Sequence, residues 1–119
     1  MLDPVRLRII GSLLDAIAED MGIALERAGI SPNIKERLDH SCAIFDADGD
    51  LVSQAAHIPV HLGAMPMAVK AARQHVPFED GDVVLVNDPA LGGTHLPDIT
   101  AIQALRIHPS DALPIAYVA

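Results

Sequence analysis

The segment at residues 87–98 holds the side chains best suited to chemistry, and it reads NDPALGGTHLPD. His95 and Asp98 stand three residues apart, and an imidazole nitrogen with a carboxylate oxygen is a donor pair suited to Zn, Mn or Fe. Gly92 and Gly93 allow the backbone to approach a ligand closely. On spacing alone, a metal site and a local hydrogen-bonded pair of His95 and Asp98 are equally supported. The segment has neither a Walker motif nor a GxGxxG pattern, so we do not expect it to bind ATP directly.

Two further histidines, His57 and His61, lie four residues apart around Pro59. The proline excludes the helical spacing of zinc proteases, and an extended segment would place both imidazoles on one side. A shared site is therefore possible, but two histidines that are hydrogen-bonded within a partly buried loop are favoured by the spacing alone.

Aspartates alternate through one short segment, at Asp46, Asp48 and Asp50. Alternate carboxylates open a calcium-binding loop of the EF-hand type, but Gly49 comes too early for that motif and no Glu stands at its twelfth position. We therefore interpret the segment as the turn of a β-hairpin, with strands at residues 42–45 and 51–54.

A long helix at the amino terminus is predicted to begin after Asp3, the N-cap, with Pro4 in its first turn. Gly29 stands where a left-handed residue would end it. One apolar stripe recurs at steps of four and three: Ile10, Leu14, Ile17, Met21 and Leu25. Because a helix of roughly 25 residues is about 38 Å long, we expect part of this stripe to extend beyond a small domain.

The remaining elements complete an α+β pattern. A short helix is predicted at residues 65–75, started by Pro66. Residues 83–86 are four consecutive apolar residues, which predicts a buried strand, and further strands are predicted at residues 99–107 and 115–118. The predicted fold is a long amino-terminal helix packed on a mixed or antiparallel β-sheet.

Composition narrows the classes of function. The 119 residues suit one domain, and half of them are hydrophobic, which excludes a disordered chain. A net charge of −8 disfavours nucleic acid as a partner. The lone Cys42 indicates a reducing, cytoplasmic setting, and we expect neither a signal peptide nor a membrane span.

Several ordered motifs together resemble the hydantoinase B/oxoprolinase family. They are SPNIKER at residues 31–37, SCAIFD at 41–46, HIPVHLG at 57–63, NDP at 87–89 and GGTHLPDIT at 92–100. The resemblance extends along the whole chain, and it implies that residues 1–119 are the amino-terminal part of such a domain, a fragment of a larger fold.

The resemblance also implies an activity. Members open cyclic amides such as hydantoin or 5-oxoproline, while an A-type partner subunit uses ATP to activate the substrate. His95 and Asp98 match the family's metal-binding HxxD motif, which favours a divalent metal (Zn, Mn or Fe) over the local pair. His57 and His61 match the HIPVH segment and are assigned to catalysis.

Substrate binding is assigned to the segment between these motifs, at Asn87, Asp88, Gly92, Gly93 and Thr94. A third metal ligand is expected beyond Ala119, so the 119 residues alone are expected to be inactive. The long amino-terminal helix suggests association, so an oligomer is expected.

Two alternatives stay open. Instead of the B component of an amidohydrolase, the chain would be a noncatalytic assembly segment that docks the A-type partner through Leu14, Ile17, Met21 and their neighbours. The other alternative is a component of an enzyme similar to acetone carboxylase. The sequence does not choose between hydantoin, 5-oxoproline and ketone substrates.

Overall fold

The computed structural model describes residues 3–36, 39–56, 61–91 and 99–119. Its helices are α1 (Pro4–Ala28), α2 (Pro32–Lys35) and α3 (His61–His75), and a 3-10 turn spans Pro89–Leu91. Its strands are β1 (Ser41–Asp46), β2 (Leu51–Ala56), β3 (Val83–Val86), β4 (Thr100–Leu105) and β5 (Ala116–Val118). The predicted α+β class is therefore confirmed.

The strands form one sheet in the order β2-β1-β5-β4-β3. Every neighbouring pair is antiparallel. Of the mixed and antiparallel sheets that the sequence left open, the structure therefore has the antiparallel one. It also places β3 at an edge, paired with β4 only among the described strands, which explains why β3 is less buried than its apolar sequence predicts. Val83 and Leu85 are 56% and 66% exposed, so the prediction of a buried strand is wrong.

Helix α1 begins as predicted and packs on one face of the sheet. The side chain of Asp3 accepts a hydrogen bond from the backbone N–H of Val5 at 3.1 Å, and Pro4 occupies the first turn. The end of the helix differs from the prediction, because Gly29 has a φ of −66° and is extended rather than left-handed. Its backbone N–H still donates to the carbonyl oxygen of Leu25, at 2.8 Å, and closes the last turn.

The contact between α1 and the sheet depends on small residues. Ala18 and Gly22 are the buried residues of the helix, and Ala18 packs with Ile44 of β1 and Ala55 of β2. A helix can approach a sheet closely where its contacting side chains are small. The hydroxyl of the buried Ser53 on β2 also donates a hydrogen bond to the carboxylate of Asp15 on α1.

The predicted apolar stripe of α1 is correct only in part. Leu14 and Met21 pack beside the buried cluster, whereas Ile10, Ile17 and Leu25 are 42%, 48% and 39% exposed. The first ten helical residues are all exposed, since the helix is longer than the sheet face that it covers.

Helix α3 covers the opposite face. Side chains alternate along a strand, so Phe45 and its neighbour Ile44 point to opposite sides of the sheet. Phe45 packs with Val69 of α3 and Ile102 of β4, and all three are fully buried. The helix begins at His61, four residues before the predicted start, and Pro66 lies inside it.

The hairpin between β1 and β2 has the predicted turn. One carboxylate oxygen of Asp46 accepts hydrogen bonds from the backbone N–H groups of Asp48 and Asp50, both at 2.9 Å. Gly49 has a φ of +86°, a conformation that favours glycine. The Nζ of Lys70 on α3 also donates a hydrogen bond to Oδ1 of Asp50, at 2.8 Å. This hydrogen bond and the attraction between the two charges raise the pKa of Lys70. The hairpin interpretation of the aspartates is therefore confirmed.

The close packing of Ala18 between α1 and the sheet can be tested by substitution. Ala18→Leu should lower the free energy of unfolding by about 1–3 kcal/mol, because the added carbon atoms have no space between the helix and the sheet. Ala24→Leu makes the same change at an exposed position of α1 and should alter stability by less than about 0.5 kcal/mol. Urea unfolding followed by circular dichroism measures both, and equal midpoints for the two variants would contradict this packing.

Candidate functional site

Asn87 and Asp88, two of the predicted substrate-binding residues, directly follow the edge strand β3 and are exposed. The side chain of Asp88 accepts a hydrogen bond from the backbone N–H of Ala90 at 2.9 Å. Its backbone carbonyl accepts another from the N–H of Leu91 at 3.0 Å. Asp88 therefore starts the 3-10 turn that carries the chain away from β3.

The other predicted site residues are less fully described. His61 is the first residue of α3, which is a helical position and not the extended one that the sequence suggested. Those outside the described residues are His57, Gly92, Gly93, Thr94, His95 and Asp98. Their assignments stay predictions, as does the placement of His57 and His61 around one cavity.

A groove lies between the last turns of α3 and the edge strand β3. Its volume is about 180 Å³. Its apolar lining comprises Ala71, Ala72, Val76, Val84, Leu85, Val86 and Leu91. Ala72 is buried and Val84 and Val86 are half-buried, so these side chains form the floor. The groove exists because β3 has no further strand beside it among the described residues.

Polar side chains stand around this apolar floor. Asn87 and Asp88 approach from the end of β3, and His75 approaches from the last residue of α3. All three are exposed, which places them at the mouth of the groove. The groove therefore combines a hydrocarbon surface with an amide, a carboxylate and an imidazole, and its described lining contains no Lys or Arg.

His61 and the groove are separated along α3. Ala71, the first residue of the helix that lines the groove, comes ten positions after His61, which corresponds to about 15 Å along the axis. The backbone of His61 is thus at the opposite end of the helix from His75.

The lone thiol is not part of this site. Cys42 is buried, and burial raises the pKa of its thiol, so the nucleophilic thiolate is disfavoured at neutral pH.

In the part of the chain that the structure describes, no three His, Cys, Asp or Glu side chains come together to hold a metal ion. No helix in those ranges is long and apolar enough to cross a membrane.

Comparison with known proteins assigns the chain to a family. The profile named Hydantoinase B/oxoprolinase matches residues 3–119. The chain belongs to the hydantoinase B/oxoprolinase family. It is 52% identical over 102 residues to 5-oxoprolinase 1 of Arabidopsis thaliana, a match that covers 84% of this chain and 8% of that protein. The family resemblance inferred from the sequence motifs is therefore confirmed.

Two solved structures share the fold of this hydantoinase B/oxoprolinase chain. One is the ATP-dependent caprolactamase from Pseudomonas jessenii, at 25% identity and a TM-score of 0.79 over 99% of this chain and 20% of that one. The other is a nucleotide-free acetone carboxylase, at 22% identity and a TM-score of 0.85 over 98% of this chain and 16% of that one. This chain therefore spans a small part of the family proteins that it matches.

His75 was missed by sequence reasoning, as was the groove itself. The local signal at residues 75–78 is a histidine before an apolar residue and a proline, which predicts only the end of a helix. The groove forms where α3 meets β3, and neither local periodicity nor a motif indicates that contact.

The role of Asp88 in its turn can be tested. Asp88→Ala should lower the free energy of unfolding by about 1 kcal/mol, because the N–H of Ala90 loses its acceptor, while Asp88→Asn retains a side-chain oxygen and should stay close to the parent protein. Thermal and urea unfolding of both variants measure this difference. If Asp88→Ala is as stable as Asp88→Asn, the hydrogen bond does not stabilise the turn.

Proposed function

We propose that this chain is part of the B component of an ATP-dependent amidohydrolase that opens cyclic amides of the hydantoin or 5-oxoproline type. The observation that carries the proposal is the family match over residues 3–119, together with 52% identity to a 5-oxoprolinase. The fold shared with a caprolactamase also supports it, since the name of that enzyme describes a cyclic amide as its substrate.

ATP is assigned to an A-type partner. Residues 87–98 contain a glycine pair but no Walker lysine and no GxGxxG pattern, so this chain lacks a recognisable phosphate-binding loop. Activation of the substrate by phosphoryl transfer would therefore take place on the partner subunit, and the enzyme would work as an oligomer in the cytoplasm.

The B component would hold a divalent metal through His95 and Asp98. A neutral imidazole and an ionised carboxylate are both available at pH 7, and this donor set fits Zn, Mn or Fe. When bound, such a metal polarises a carbonyl or activates water. Two protein ligands leave most of the coordination shell to water, so binding by the 119 residues alone should be weak.

The side chains near the metal motif have separate roles in this proposal. Asn87 and Asp88, with the backbone of Gly92, Gly93 and Thr94, would bind and orient the ring. Asn87 is suited to an amide because its side chain both donates and accepts hydrogen bonds. His57 and His61 would move protons, as imidazoles do near neutral pH.

A role in assembly is the second candidate, and one observation favours it. Four large apolar side chains of α1 form an exposed surface, which we call the outer face of α1: Ile9, Ile10, Leu13 and Ile17, at 56%, 42%, 59% and 48% exposure. Exposed apolar patches of this kind are typical of interaction sites. The docking residues predicted from the sequence need correction, because Leu14 and Met21 pack beside the buried cluster between α1 and the sheet.

The enzyme proposal is tested by turnover. We expect ATP-dependent opening of hydantoin or 5-oxoproline when the protein at its natural length is combined with its A-type partner, and no opening by the 119 residues alone. Product and ADP are measured together. Ring opening by the 119 residues without a partner would contradict the assignment of ATP to the A-type subunit, and no opening by the combined proteins would favour the assembly role.

The metal assignment is tested separately by elemental analysis. In the protein at its natural length, His95→Ala and Asp98→Ala should each remove the metal and the activity, because each removes a ligand. His57→Ala should retain the metal if that imidazole serves the substrate. Circular dichroism controls for folding. Full metal occupancy in both ligand variants would instead favour a local hydrogen-bonded pair.

A further inference from the structure

The groove between α3 and β3 has the size of a small ring. Its volume is about 180 Å³. An apolar cavity of about 150 Å³ in another protein binds benzene, so a ring of about five to seven atoms fits here. Larger drug-like ligands need pockets of about 300 Å³ or more. The volume therefore suits a small ligand.

The walls select the chemistry of that ligand. The floor is aliphatic, from Ala72 on α3 and from Val84 and Val86 on β3. Burial of hydrocarbon against such a floor is favourable, whereas burial of a polar group without a partner is costly. The polar groups at the mouth are Asn87, Asp88 and His75. A suitable ligand thus has a hydrocarbon edge and a polar edge, and a lactam has both.

The floor is held firmly in place. Ala72 and Val69 belong to the buried cluster under α3, and Val84 and Val86 pack against that cluster. The carbonyl oxygen of Ala72 also accepts a hydrogen bond from the N–H of Val76, at 2.9 Å. A rigid floor needs little reorganisation when a ligand binds, which favours affinity.

We propose that this groove binds the methylene edge of a small cyclic amide, with the amide group directed to Asn87 and Asp88 at its mouth. The identity of the ring rests on the proposed function. The groove adds the surface that holds the ring, at residues that the family motifs do not include, and it makes Ala71 and Leu91 determinants of affinity.

The six-membered lactam 2-piperidone is a direct probe. Saturation-transfer NMR with the protein at its natural length should show that the methylene protons of the lactam receive saturation from the protein. Ala71→Leu adds three carbon atoms beside the floor and should weaken binding by about tenfold or more. Ala24→Leu, the same change on the exposed side of α1, should leave the affinity unchanged.

A second variant covers the case in which Ala71→Leu does not fold. Leu91 is 39% exposed and lies outside the buried clusters, so Leu91→Ala should fold normally and weaken binding by removing one wall. Circular dichroism checks the fold of each variant. Unchanged affinity in the folded groove variants, or no transfer of saturation to the methylene protons of the lactam, would overturn the proposal.

Turnover separates this proposal from the proposed function. If the complex opens rings and the groove variants keep the affinity and KM of the parent, the groove proposal fails while the function stands. If 2-piperidone binds and the groove variants weaken it, but the complex opens no ring, the groove stands while the proposed function fails.

Discussion

Backbone hydrogen bonds along the short strand β5 join the two halves of the sheet. β5 pairs with β1 on one side and with β4 on the other, so the hairpin at the amino-terminal side and the β3–β4 pair become one surface. Next to it, Ala119 and Ala43 exchange backbone hydrogen bonds of 2.9 and 3.0 Å. Tyr117 packs under α3, where its ring lies 5.4 Å from that of Phe78, while Val118 packs on the side of α1. The position of α3 over the edge strand, and hence the groove, depends on this join.

Local patterns predicted the local features. The N-cap at Asp3, the hairpin turn at Gly49 and the class of each predicted helix and strand follow from side chains that act within a few residues, and the structure confirms them. The strand order depends instead on pairing between β1 and β5, which are about seventy residues apart along the chain. The exposure of β3 could not be predicted for the same reason, because four apolar residues look alike at the centre and at the edge of a sheet.

The candidate site divides in the same way. Residues 87–98 were singled out by composition and by family resemblance, and Asn87 and Asp88 do line the groove. The groove itself needs α3 and β3 in contact, and its floor consists of Ala and Val, which carry no chemical signal in a sequence.

The extended conformation inferred for His61 was wrong because the helix starts four residues earlier than Pro66 suggested. Pro66 is the sixth residue of α3, where it has no backbone N–H for an intrahelical hydrogen bond, whereas the prediction placed it in the first turn, where a proline is favoured.

The two faces of the sheet are covered to different extents by the helices. On the side of α3, a continuous buried cluster extends from Phe45 on β1 to Ile102 on β4. On the other side, α1 packs mainly on β1 and β2, with Val118 of β5 beside the same cluster, and Val83 and Leu85 of β3 stay exposed. The well-packed face therefore supports the groove, where a fixed geometry favours binding. The outer face of α1 lies on the other side of the sheet and carries the apolar surface that suits assembly, so a partner on that face would leave the mouth of the groove, on the side of α3, accessible to a substrate.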